Sequence, residues 1–330
     1  MQLPFRVSAI GFFVLSTATL VLFACALAAS IPVRGIVTIS TAVILLGLIA
    51  GILREAATLR THEVITSSQD ATGIRTAVIE FSMVVTGNAL TFVLSVESGL
   101  GAVVASSVVG LLGAMLVRRH ATAVFCGSFV GMSSPDVYGY TGVVLLAGIC
   151  AGFVFVAAMR VLNGFGGKLG TIAFTGALAA SFVLQAPLGS LPIPVGTDAL
   201  WVLAYATGGA VVTYVLSVHL QYGPVPASAM VGLLCGLLLP VIHGPQFGTL
   251  FAVVAFCASF TGMSSPARLP TTIHVALAGL ITGVVFLYAS PYFDGAGGKL
   301  GTIAFGSSIA VWGLQQLRVR RQLTSGNVYH

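Results

Sequence analysis

The residues best suited to chemistry in this chain occur twice. Gly164 to Phe174 reads GFGGKLGTIAF and Gly295 to Phe305 reads GAGGKLGTIAF, identical at ten of eleven positions. Each copy holds one lysine, Lys168 or Lys299, the only two in the protein, between a glycine pair and Leu-Gly-Thr. An ammonium at a helix N-terminus, beside a glycine turn with free amides, is suited to holding an anion. Thr171 and Thr302 are expected to cap the helices that follow. The plainer reading is a lysine that snorkels to the interface above a tightly packed turn.

A second block is also duplicated. Phe125 to Pro135 reads FCGSFVGMSSP and Phe256 to Pro266 reads FCASFTGMSSP, identical at nine of eleven positions. Gly131 and Gly262 are expected to release the chain from a helix. Ser133, Ser134, Ser264 and Ser265 would then offer hydroxyls beside freed carbonyls. Interrupted apolar segments at matching places in two repeats point to a transporter binding site, although small residues also serve close helix packing. The candidate substrate-binding set is therefore Gly131, Ser133, Ser134, Lys168 and Thr171 with Gly262, Ser264, Ser265, Lys299 and Thr302. The two GMSSP stretches are expected to lie face to face, in antiparallel sense, in mid-membrane.

Other chemistry finds little support. The GxGGKLGT string departs from the Walker A loop, because Leu follows the lysine and a membrane helix precedes it. Cys25, Cys126, Cys150, Cys235 and Cys257 all fall in apolar segments without CxxC spacing or a neighbouring His cluster, so they read as small buried hydrophobes. No metal or other cofactor is expected. HExxH, GxSxG and paired carboxylates are missing from the sequence, so no enzyme activity is expected. Among single polar residues, Glu80 is expected to snorkel or to pair with Arg75. Asn88 could hydrogen-bond across helices, and His274 or Glu80 could couple protons. Asp136 and Asp294 read as solvated residues at loop edges.

The elements that carry these blocks are membrane helices. Hydrophobic residues make up 57% of the 330-residue chain and charged residues 7%, and mean hydropathy is +1.05. Soluble domains carry roughly 25% charged residues. No outer-membrane barrel alternation is visible. The net charge of +6 is spread over short loops and does not form a nucleic-acid-binding face. The fold class is an all-α polytopic membrane protein. Two N-terminal transmembrane helices occupy 1–53, the first expected to be retained and not cleaved as a signal. A polar cytoplasmic linker spans 54–76. Repeat one covers 77–186, an external loop 187–198, repeat two 199–317, and a basic cytoplasmic tail 318–330. The second unit carries a nine-residue insertion between its second helix and its broken segment.

Direction depends on whether the segments at 121–135 and 249–266 cross the membrane or return. A helix over Ala121 to Val130 would cover about 15 Å, and an extended Gly131 to Pro135 about 16 Å more. Together these reach the roughly 30 Å hydrocarbon core. With crossing segments, twelve basic residues lie inside and only Arg34 and Lys299 outside. Basic clusters also alternate between the copies: Arg118-Arg119, Arg160, Arg268 and Arg318-Val-Arg-Arg321 each lack a basic counterpart. Opposite orientation of the two units accounts for that alternation.

These readings converge on two inverted five-crossing repeats, each with a broken helix. The function expected is a transporter or channel for a small solute, an anion or a small polar molecule, with its site between the repeats. A non-transporting scaffold, docking partners on 54–76 or on the basic tail, is the alternative. Expected partners are the solute or ion and the lipid bilayer, not nucleic acid, with homo-oligomerisation left open. The expected location is the plasma (inner) membrane, multi-pass, with both termini cytoplasmic.

Overall fold

In the computed structural model of the chain, residues 5–33, 35–65, 73–138 and 141–326 are described. Two helices lead, α1 (Phe5–Ser30) and α2 (Ile36–Ile65). A first group follows: α3 (Ile74–Phe92), α4 (Ala102–Leu116), α5 (Ala121–Val130), the single turn α6 (Pro135–Tyr138), α7 (Thr141–Ala158) and α8 (Lys168–Leu184). A second group comprises α9 (Thr197–Tyr214), α10 (Pro224–His243), α11 (Pro245–Gly262), α12 (Thr272–Ala289) and α13 (Lys299–Gly326). No strand occurs among the described residues. Seven of their helices are long and apolar enough to cross a membrane. Large apolar side chains point outward, Phe182 at 86% exposure and Val241 at 83%. In water such faces would aggregate, whereas in a bilayer they meet lipid. The chain is a helical, multi-pass membrane protein.

Element bounds follow local chemistry. α2 continues into the polar linker as far as Ile65, because Arg54 to Ile65 contains neither Gly nor Pro. α5 spans Ala121–Val130, the expected bounds, but the residues after it make a turn and do not run extended. Gly131 keeps right-handed φ/ψ (−65°, −10°), and the Ser133 amide donates to Val130 O at 3.0 Å. The insertion of the second group lengthens two helices, giving α10 and α11 20 and 18 residues against 15 and 10 in α4 and α5. After α3 and α9 the chain forms a π-helical turn at matching places, Val93–Glu97 and Val215–His219.

Glycine contacts fix the helix directions. Gly127 sits against Val84 and Asn88, and Gly131 against Asn88, Thr91 and Phe92, so α5 runs parallel to α3. α7 runs the other way: Asn88 Nδ2 donates to Val144 O at 2.8 Å, while Gly152 meets Phe81 further down α3. The cross-helix bond expected for Asn88 is thus formed. Between the two groups, α4 and α10 are antiparallel. Gly110 faces Ala229, Ser107 faces Gly232, and Val103 and Val104 face Gly236. α8 and α13 also cross antiparallel at their N-termini, with Gly170 on Gly301, Gly167 on Phe305 and Gly298 on Phe174. Side chains are too large for these crossings. A Cβ on Gly131 would lie 2.5 Å from Asn88 O, and one on Gly262 would lie 2.3 Å from Ala210 O. These two glycines therefore serve close approach, with no unusual backbone angle.

Candidate functional site

The four serines hold the two groups together. Ser133 Oγ donates to Val130 O at 2.7 Å and accepts from the Gly297 amide at 3.1 Å. Its counterpart Ser264 Oγ accepts from the Gly166 amide at 2.9 Å and reaches Ser308 Oγ at 3.3 Å. The Ser134 amide donates to Gly295 O at 2.9 Å, and the Ser265 amide to Gly164 O at 2.8 Å. Each GMSSP stretch therefore docks on the glycine turn of the other group. The expectation that the two stretches lie face to face is corrected. An interrupted helix in a bilayer needs partners for its freed polar groups, and the glycine turn supplies both an amide and a carbonyl.

The glycine turns have the shape this docking requires. Gly164, Gly167, Gly295 and Gly298 all take positive φ, between 83° and 85°, which L side chains rarely adopt. Gly167 stands at the N-cap of α8 without a side-chain cap. Thr171 and Thr302 are fully buried and return their hydroxyls to Gly167 O and Gly298 O, both at 3.4 Å. They are not caps, which corrects that expectation. No side chain caps α8, so its first amides lack intrahelical partners, and the glycine turns of both groups border open space.

That space consists of two cavities. One, of about 390 Å³, is lined by Lys168, Asn163, Glu80, Thr122, Phe155, Met159, Pro224, Met263 and Ser265 among others. The second, of about 260 Å³, is lined at the matching positions by Lys299, Asp294, Val253, Phe286, Ser290, Ala102, Met132 and Ser134. The first lies beside Glu80 in the N-terminal half of α3, and the second lies past the C-terminal end of α3 at Ala102. Phe129 and Phe260 line both. Their ring centroids are 4.6 Å apart, and Phe125 and Phe256 complete a cluster in which every pair lies within 6.4 Å. The phenylalanines separate the cavities.

Both lysines are 9% exposed and lie inside the protein. As buried residues the two lysines carry little weight in a comparison of loop charges; Arg34 lies outside the described residues. Lys168 Nζ donates to Asn163 Oδ1 at 2.6 Å, and Lys299 Nζ to Ser290 O at 3.4 Å. Of the expected site residues, the structure places Lys168 and Ser265 in one cavity and Lys299 and Ser134 in the other. Ser133 and Ser264 bind the turns, while Thr171, Thr302, Gly131 and Gly262 stand behind them.

Several residues escaped sequence reasoning. Glu80 pairs with His120 Nδ1 at 2.9 Å, where Arg75 was expected. Asp294, expected at a solvated edge, lines a cavity and pairs its backbone with Gly189. His274 joins the Thr271 cap of α12 at 2.7 Å and sits away from both cavities. Arg268 forms a bidentate pair with Glu55 of α2 at 2.6 and 2.9 Å. Its guanidinium lies 4.2 Å over Phe165 and 5.0 Å from Trp312, and Nε donates to Asn163 O at 3.1 Å. The Phe-x-x-x-Phe spacing, present in both FCGSF and FCASF, was the available signal for the aromatic cluster. Nothing local signals the Glu55–Arg268 pair. All five cysteines are free, and Cys126 and Cys257 donate to Leu169 O and Leu300 O at 3.2 Å.

Comparison with protein-family models, curated proteins and solved structures finds no match to this chain.

Proposed function

We propose that this protein is a membrane transporter or channel for a small polar solute, with an anionic end favoured. In this reading it is built from two inverted five-crossing halves behind two N-terminal helices. The observation that carries the reading is the pair of matched cavities, on opposite sides of one phenylalanine cluster and each holding a buried lysine. Antiparallel crossing of matching helices, α4 with α10 and α8 with α13, supports the inversion. The broken elements and recessed helix N-termini then lie where alternating access would expose them from either side in turn. Phe129 and Phe260 act as the constriction that a solute must pass.

The test is flux into liposomes reconstituted with the full chain, using labelled glycine, acetate and urea. Phe129→Ala together with Phe260→Ala is expected to accelerate passage of at least one probe roughly tenfold, as lost packing opens the constriction. If neither the unmodified protein nor this variant moves any probe above protein-free liposomes, the reading is overturned. Orientation is checked independently by membrane-impermeant labelling of Asp198→Cys and Arg321→Cys. The two sites are expected on opposite sides, the second cytoplasmic, and labelling from one side alone refutes the inversion.

A further inference from the structure

The Lys168 vestibule contains two incompletely satisfied groups of opposite type, one oxygen of Glu80 and the Lys168 amine. Glu80 is 8% exposed and lines the cavity from α3. Its Oε1 meets His120, but Oε2 is buried and has no hydrogen-bond partner. In the same cavity, Lys168 Nζ donates to the neutral amide of Asn163. No carboxylate pairs with Lys168 among the described residues. A buried carboxylate oxygen without a donor is costly, and so is a buried ammonium without a counter-ion. One molecule with a cationic donor at one end and an anionic acceptor at the other would relieve both.

The second vestibule reaches the same combination by other residues. Asp294 and Lys299 both line it. Glu80 is matched in sequence by Val202, and Asp294 by Asn163, so these carboxylates are not copies of one ancestral residue. A path for simple anions has no use for a carboxylate in each chamber, and a path for simple cations has no use for a lysine. The volumes, about 390 and 260 Å³, fall at or below the lower end of ligand pockets, roughly 300–1,000 Å³. The solute is therefore small.

From these observations we infer that the vestibules bind a small zwitterion of the amino-acid type. Its carboxylate sits at Lys168 and the open amides of α8, and its ammonium sits at Glu80 Oε2. In the second vestibule Lys299 and Asp294 take the corresponding ends. The inference rests on the transport reading above and names its substrate class.

Four probes of similar size separate the possibilities in liposomes containing the full chain: alanine, propionate, ethylammonium and propionamide. Alanine uptake by the unmodified protein is expected to exceed each of the others roughly tenfold or more, the loss that follows when one hydrogen bond to a charged group goes unmade. Glu80→Gln should bring alanine down toward propionate while leaving propionate uptake in place. Lys168→Gln should reduce both. Propionate, ethylammonium or propionamide crossing as fast as alanine overturns the zwitterion and leaves transport standing. Passage of none of the four, even with Phe129→Ala and Phe260→Ala combined, removes both. The decisive comparison uses the unmodified chain, so misfolding of a variant does not blunt it.

Discussion

The two vestibules share their floors and differ at their rims. Both end on Phe129 and Phe260, and both are walled by a Gly-x-Gly-Gly-Lys-Leu-Gly turn on a serine of the opposite group. Around the mouths the correspondence ends: Arg268 stands where the first group has Val137, Glu80 where the second has Val202, and Phe165 where the second has Ala296. The floors are fixed by backbone geometry, since four left-handed glycines and two buried serine bonds leave little choice of residue. The rims face different neighbours: α2 reaches the Lys168 rim through Glu55 and Arg268, and no residue of α2 lines the Lys299 cavity. Under the transport reading proposed above, shared floors with unlike rims suit a path that treats a solute alike in the middle and differently at each mouth.

The sharpest way to break this comparison is to strike both floors alike. Gly167→Val and Gly298→Val each force a β-branched residue into positive φ, with a Cβ 2.4 or 2.3 Å from a backbone atom of the partner helix. Strain and overpacking together should cost at least about 3 kcal/mol at either site. Loss of monodisperse protein in detergent extracts should therefore match between the two. A tolerated substitution at one site only would show that the floors are not equivalent.

Next in size is a rim effect that should be one-sided. Arg268→Ala removes a part-buried bidentate pair and a stacked guanidinium, and is expected to lower thermal stability by about 2 kcal/mol. Val137→Ala at the matching position should cost about 1 kcal/mol or less. The Glu55→Gln and Arg268→Ala double-mutant cycle should show a coupling of about 0.5–3 kcal/mol. Zero coupling would mean that α2 does not brace the vestibule through this pair. Smaller still, Ser133→Ala and Ser264→Ala each leave one buried glycine amide without its acceptor. The expected cost is about 1–2 kcal/mol apiece, read from unfolding midpoints in lipid. Unequal values would show that Ser308, which reaches Ser264 alone, contributes to one docking only.

Much of this architecture could be read from residue types. Duplicated blocks rich in Gly, Ser and Lys marked the segments that join the two groups, Gly131 marked the end of α5, and Asn88 marked a polar contact between helices. What failed did so for physical reasons. Identity between two copies does not say whether a segment meets its own twin or the twin's neighbour, so the crossed docking of Ser133 on Gly297 was invisible. Thr171 looks like a cap in one dimension. In three dimensions Gly167 occupies the cap, and the threonine lies one turn inside the helix. Asp294 read as a loop residue because the turn that sets it against a cavity is made by glycines whose φ the sequence does not display. Glu55 and Arg268 lie 213 positions apart, and only the path of α2 brings them together.

The crossed docking also bears on biosynthesis. When the ribosome has released the first group, Ser133 and Ser134 are already made, while the amide and carbonyl they will bind at Gly297 and Gly295 have not yet been translated. A chain stopped before Gly295 would therefore hold one docking and lack the other: Ser264 and Ser265 find Gly166 and Gly164 already made, whereas Ser133 and Ser134 still wait for their partners.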